Sequence, residues 1–150
     1  MFRKLLLVCL LLVSSFGFDK IYFLPEDSDI VQKDIVELLQ NAKSNIDIVM
    51  YNIDYKKFAK ALKEASKDGV EVSIVYEKSK LKFYKKINLL KTKRKLHIKL
   101  AIIDNKFAIY GSANWKKESF EENYEIINIT DDVEKIKRFQ QIVEQIKREN

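Results

Sequence analysis

The stretch HIKLAIIDNKFAIYGSANW, His97 to Trp115, holds an imidazole, an ammonium, a carboxylate, a hydroxyl and an amide within nineteen residues. His97 is the only histidine of the chain. In an extended strand alternate residues share a face, so His97 and Lys99 project together while Ile98, Leu100 and Ile102 turn toward a core. An imidazole beside a cation suits reaction at a phosphate. The lysine neutralises nonbridging oxygens while the imidazole attacks phosphorus or shuttles protons. A structural histidine gains nothing from such a neighbour, which depresses its proton affinity. Asp104 has the opposite parity and falls in the turn Asp104-Asn105-Lys106. It reads as a brace for the hairpin or for a nearby basic residue, not as a catalytic carboxylate.

Three further side chains extend the set. Asn114 stands where a helix N-cap is expected, and its amide also suits a phosphate held at a helix N-terminus. Ser112 is placed to support Lys99 or the anion, and Gly111 permits close backbone approach. Glu125 opens the next strand, where a carboxylate orients and stabilises an imidazole as the acid of a hydrolase triad does. Taken alone it is equally a surface glutamate.

Alternating elements must position these groups. Lys20 to Phe23 reads as a strand ending at Leu24-Pro25. SDIVQKDIVELLQNAK follows at helical spacing, with Ser28 or Asp29 as N-cap. A strand spans Asn45 to Ile53, and Asp54 is placed to cap a helix whose Gly69 suits the position after its C-cap. Val70 to Glu77 is a third strand. Strands at Leu96 to Ile103 and Phe107 to Tyr110 form a hairpin, followed by a short helix after Asn114 and a strand from Tyr124 to Thr130. A last helix begins near Asp131-Asp132. The pattern predicts one α/β domain, a mixed sheet flanked by helices, and the hairpin excludes an all-parallel sheet.

Length and composition agree: 150 residues, 47% hydrophobic and 33% charged, with three Gly and one Pro, fit one folded domain without long linkers. The first residues differ in kind. Arg3 and Lys4 precede an apolar run from Leu5 to Val13, and Ser15 and Gly17 are the small residues third from and next to a cut after Gly17. Residues 1–17 therefore read as a secretory signal peptide or an uncleaved anchor, ahead of a domain over residues 18–150, and the protein is expected to be exported, periplasmic or membrane-associated. The only cysteine, Cys9, lies in that leader, so a cleaved chain has no disulfide, thiolate nucleophile or cysteine-ligated zinc. The net charge is +6. It is unevenly spread: Lys78 to Lys99 contains ten Lys or Arg and no acid. Such runs are often solvated faces, but this one leads into the histidine strand with Phe83 and Tyr84 interleaved. That favours a polyanion-binding surface, with Lys91, Lys93, Arg94 and Lys95 as nucleic-acid contacts.

His97-x-Lys99, four residues, Asp104, six residues, then Gly111-Ser112-x-Asn114 resembles the HKD motif of the phospholipase D superfamily with its spacing intact. The continuation through Asn123 and Glu125 is similar to the segment after that motif in small bacterial endonucleases that are periplasmic or membrane-associated. The resemblance implies a phospholipase D-like sandwich and cleavage of phosphodiesters through a phosphohistidine. Lys99 and Asn114 would hold the phosphate, Ser112 would support the site, Glu125 would pair with the histidine, and no metal or other cofactor would be needed. Two imidazoles are required where this chain has one, so the resemblance implies a homodimer with a shared site. On sequence two other readings stay open: the same chemistry on a phospholipid such as cardiolipin, and a membrane-tethered nucleic-acid-binding protein without catalysis.

Overall fold

The computed structural model describes residues 17–150; the leader expected over residues 1–17 therefore lies outside the described residues except for Gly17. Among the described residues seven strands and four helices follow one another in this order: β1 (Asp19–Leu24), α1 (Ser28–Gln40), β2 (Asn45–Asn52), α2 (Lys56–Lys67), β3 (Glu71–Lys78), β4 (Asn88–Lys91), β5 (Lys99–Ile103), β6 (Phe107–Gly111), α3 (Lys117–Glu121), β7 (Glu125–Thr130) and α4 (Val133–Glu149). The strands form one sheet in the order β1-β7-β6-β5-β2-β3-β4. β2, β3 and β4 are parallel to one another, and the remaining pairings are antiparallel. The mixed sheet flanked by helices is the predicted architecture.

Side-chain alternation sends the central strands into two cores, which is why they read as nearly continuous apolar runs. On β5, Ala101 and Ile103 join the core under α1 and α2, with Ile46, Ile48, Met50, Leu62 and Trp115. Leu100 and Ile102 join the opposite core, where α4 contributes Ile136 and Val143. Helix α4 covers only part of its face. Beyond it the same face of β1 and β7 leaves Ile21, Phe23 and Ile126 exposed, with the ring of exposed Tyr124 stacked 5.7 Å from that of Phe23. Among the described residues no helix is long and apolar enough to cross a membrane.

Several local expectations need correction. The N-cap of α1 is Asp27, one residue before Ser28, and its carboxylate accepts from the Phe23 amide. Asp54 does not cap α2. The chain stays extended to Ile53, which bridges to Trp115, so the helix starts after Tyr55 while the Asp54 carboxylate accepts from Ser79 and the Lys80 amide. Asn114 does not cap α3 either, because Lys116 holds that position. Strand β4 lies inside the basic run, where the lysines mask the short NLLK segment. The strand expected from Leu96 is paired in the sheet only from Lys99, although the Ile98 carbonyl accepts from the Tyr51 amide at 3.0 Å. Asp132 caps α4 by accepting from Lys135, as its position predicts, and Gly69 takes the left-handed conformation (φ 94°) just past α2.

Asp104 is a brace. It and Asn105 turn the β5–β6 hairpin with φ of 54° and 53°, a conformation these residues tolerate. Its carboxylate reaches across to the α1–β2 connection and accepts from the amides of Lys43, Ser44 and Asn45 and from the Ser44 hydroxyl, at 2.8–3.2 Å. Partial burial opposes ionisation, but the bonds from Ser44, Lys43 and Asn45 outweigh it and hold the carboxyl below its ordinary 3.8. A lowered folded pKa is stabilising above the unfolded value, and that contribution is lost as pH falls through the folded value. Asp104→Asn keeps the turn geometry and one acceptor oxygen but removes the charge. Urea denaturation is expected to show it about 1–2 kcal/mol less stable than wild type at pH 7, with the difference shrinking below about pH 4.

Candidate active site

The strand directions bring the start of β5, the end of β6, the start of β7 and the end of β2 to one end of the sheet. Asp104 lies at the other end, seven residues or about 20 Å along the chain from His97. His97 is exposed at the entry to β5, while Lys99 is only 7% exposed. The Lys99 ammonium donates to the His97 carbonyl at 3.0 Å and lies 5.8 Å from the centre of the Tyr51 ring. Burial pulls its pKa below the ordinary lysine value, and nearby Glu125 and Tyr51 resist that pull only in part. Lys99 makes no ion pair among the described residues, so its charge is left for an incoming anion.

The β6–β7 edge supplies the next groups. A Cβ at Gly111 would lie 2.0 Å from the Ile126 carbonyl oxygen, so only glycine lets the two strands approach here. The close approach positions Ser112. Its amide donates to the Ile126 carbonyl, its hydroxyl oxygen accepts from the Ile126 amide at 3.0 Å, and the same hydroxyl donates to Glu125 Oε2 at 2.5 Å. Asn123 donates weakly to the other Glu125 oxygen at 3.4 Å. Within one chain, then, the hydrogen bonds of the Glu125 carboxylate come from Ser112 and Asn123, while its charge acts on Lys99.

Asn114 is carried on a loop pinned by the buried Trp115. The Trp115 carbonyl accepts from the amides of Asp54 and Tyr55, and its ring packs against Phe58 at 4.9 Å. The Asn114 Oδ1 accepts from the Asn52 amide at 3.1 Å. A backbone donor on that oxygen orients the amide and leaves its NH₂ group to donate outward. His97, Lys99, Ser112, Asn114 and Glu125 thus gather at one end of the sheet, with Gly111 behind them.

The predicted nucleic-acid contacts are spread more widely. Lys91 ends β4, while Lys93, Arg94 and Lys95 form an exposed segment against the end of α4. There Asn150 accepts from the Lys93 amide, and Arg94 pairs with Glu149 at 3.3 Å. Two residues that sequence reasoning passed over, Tyr51 and Asn52, also border the site. The Tyr51 ring lies 5.9 Å from that of His97 and 5.1 Å from the Lys78 ammonium, and Asn52 holds Asn114. Their signal was modest: a Tyr-Asn pair closing an otherwise apolar strand. Among the described residues no three His, Cys, Asp or Glu side chains gather in a way that would hold a metal ion.

The arrangement can bind an anion against Lys99 and the Asn114 amide beside an exposed imidazole. Because burial disfavours the Lys99 charge, Lys99→Met is expected to raise stability by ~1 kcal/mol at pH 7 while abolishing the binding of inorganic phosphate. The stability gain should shrink at alkaline pH, where the native lysine becomes neutral. Thermal denaturation and phosphate titration on the same samples check both halves.

Comparison with known proteins gives this geometry a context. The family model described as "Cardiolipin synthase, PLD-like domain" matches residues 35–147. Direct comparison with curated proteins finds no match. Among solved structures, NucT from Helicobacter pylori superposes with a TM-score of 0.79 at 25% identity, covering 89% of this chain and 97% of that one. Nuc, a phospholipase D family member from Salmonella typhimurium, gives 0.74 at 22% identity over 89% of this chain and 95% of that one. TrmBL2, an archaeal chromatin protein, shares the fold with a TM-score of 0.64 at 16% identity, covering 90% of this chain and 54% of that one. The residue set at the end of the sheet and the family match over residues 35–147 place the chain in the phospholipase D superfamily, as a Nuc-like member.

Proposed function

We propose that the protein is a phosphodiesterase that cleaves nucleic acid, DNA foremost, at a site shared by two copies of the chain. The observation that carries this reading is the nearly buried Lys99 ammonium, unpaired beside an exposed imidazole and an oriented asparagine amide. A cation kept from water in this way stabilises the charge that grows on nonbridging oxygens during phosphoryl transfer. His97 attacks phosphorus and the P–O bond to one sugar breaks, leaving a phosphohistidine. His97 of the partner subunit gives its proton to the departing oxygen, then takes one from water. The hydroxide formed attacks phosphorus, and the P–N bond breaks to release a phosphate monoester and free His97. Lys99 and Asn114 hold the phosphate throughout, and no step requires a metal. Glu125, fixed by Ser112, is placed to stabilise an imidazolium at the shared site.

The surface supports a second copy. Exposed Tyr124 and Ile126 flank Glu125 directly, and Phe23 and Ile21 continue the apolar strip on β1. A contiguous apolar patch beside a site that lacks one imidazole suits a two-fold interface. The expected leader would export this enzyme to the periplasm or hold it to a membrane.

Cleavage of plasmid and single-stranded DNA in excess EDTA tests the chemistry. Wild type should cut, and His97→Asn should lose about a thousandfold or more. Activity that requires added Mg²⁺ or survives loss of His97 overturns the mechanism. Turnover of phospholipid vesicles with DNA untouched would replace the substrate. For the shared site, Tyr124→Glu with Ile126→Asp should convert a dimer to a monomer in sedimentation and remove activity together. A fully active monomer rejects it.

A further inference from the structure

The Asn114 amide faces outward only while the segment that carries it keeps its place, and Trp115 fixes that segment. The Trp115 amide donates to the Asn52 carbonyl at 3.1 Å, and its carbonyl accepts from the amides of Asp54 and Tyr55, both at 2.8 Å. The Trp115 ring enters a cluster of large side chains. The Phe58 ring centre lies 4.9 Å from those of Trp115 and Tyr55 and 5.1 Å from that of Phe120, and Tyr55 lies 5.6 Å from Phe120. Tyr55 therefore reaches Trp115 twice, through its own backbone and through Phe58.

Packing among rings is non-directional, so it fills space without fixing how the pieces turn. Tyr55 alone in this cluster ends in a hydroxyl. That oxygen lies 2.8 Å from Gln32 Oε1 on α1 and 3.0 Å from Glu121 Oε1 on α3. Gln32 is buried and is itself held, its Nε2 donating to Ser28 at 2.8 Å and its Oε1 accepting from Lys57 at 3.0 Å. Burial and the bond to Glu121 push the Tyr55 pKa up to about 12, which keeps the hydroxyl a donor across the neutral range. Tyr55 also occupies the N-cap of α2, where its side chain accepts nothing from the helix. A small polar residue would serve that position better. The tyrosine suits the tertiary contact instead of the local one.

Resting on the phosphodiesterase reading above, we infer that Tyr55 is a positioning residue: its hydroxyl locks α1 and α3 onto the aromatic cluster and, through Trp115, holds the Asn114 amide at the scissile phosphate. Tyr55 acts through Trp115 and takes no part in the bond changes. Helix α3 follows Asn114 after only Trp115 and Lys116, so a turn of α3 passes straight to the amide. Displacing a positioned group by about 1 Å costs up to about a hundredfold in rate.

Tyr55→Phe keeps the ring and removes only the hydroxyl. Hydrogen exchange read by NMR reports on the positioning directly, because the Asn52 amide donates to Asn114 Oδ1. The Asp104 amide, bonded to the Asn45 carbonyl at 2.8 Å, serves as the control at the far end of the sheet. In the full-length Tyr55→Phe protein the Asn52 amide is expected to exchange about tenfold faster, with the Asp104 amide unchanged. Equal acceleration of both amides marks a loss of overall stability and overturns the positioning role, as does no change at Asn52. Hydrolysis of bis(p-nitrophenyl) phosphate gives the second arm. Tyr55→Phe should lower kcat/KM about tenfold in the wild-type background and less than about twofold in the Asn114→Ala background. The same loss in both backgrounds, or no loss in either, overturns the inference. If wild type hydrolyses neither this diester nor DNA, the phosphodiesterase reading fails, and the exchange result still decides whether Tyr55 positions Asn114.

Discussion

A lysine ammonium nearly withdrawn from water is the constraint around which the rest of this structure is arranged. Lys99 sits at the start of a strand whose next four residues are all buried, so its stem cannot swing freely into solvent. Its hydrogen bond goes to a neutral carbonyl, that of His97, two residues back in its own chain. Burying a charge without a counterion is unfavourable, and folding normally avoids it by pairing or by shifting the pKa. Here the pKa shifts downward, restrained by Glu125 at a distance. An anion bound against Lys99 would supply the missing counter-charge. A fold that keeps such a group at its sheet end has placed function ahead of local stability.

Everything nearby follows from how the sheet delivers groups to that end. Three strand termini converge because β5, β6 and β7 are successive antiparallel neighbours, while β2 enters from the parallel half. Gly111 permits the β6–β7 approach that sets Ser112 on Glu125. Trp115 anchors the loop that carries Asn114, so a large buried ring fixes the position of a small polar side chain. At the far end Asp104 ties the hairpin to the α1–β2 connection. The aspartate of the motif therefore belongs to the frame: it fixes the register of the strand on which His97 and Lys99 are spaced.

Much of this was legible from residue types alone. Strict parity separated His97 and Lys99 from Asp104, and alternation on β5 put Leu100 and Ile102 opposite them. The helix starts were less legible. Asp54 and Asn114 have the chemistry of caps, but each carries a tertiary hydrogen bond instead, and no local pattern reveals a partner dozens of residues away. Strand β4 was hidden because its four residues lie in a run whose charge dominates any short window. Tyr51 and Asn52 escaped for a related reason. They border the site only because β2 lies beside β5, and such neighbourhood is a property of sheet order.

Strand β1 gives the molecule a polarity. It begins with Asp19 beside Thr130 and ends with Leu24 beside Glu125, so the backbone enters the domain at the pole opposite the reactive end. The last helix finishes elsewhere, with Asn150 touching Lys93. The two termini are therefore unequal as attachment points. A body joined ahead of Gly17 leaves the His97 end open, like a tool gripped by its handle, whereas one joined after Asn150 crowds the basic segment that leads into it.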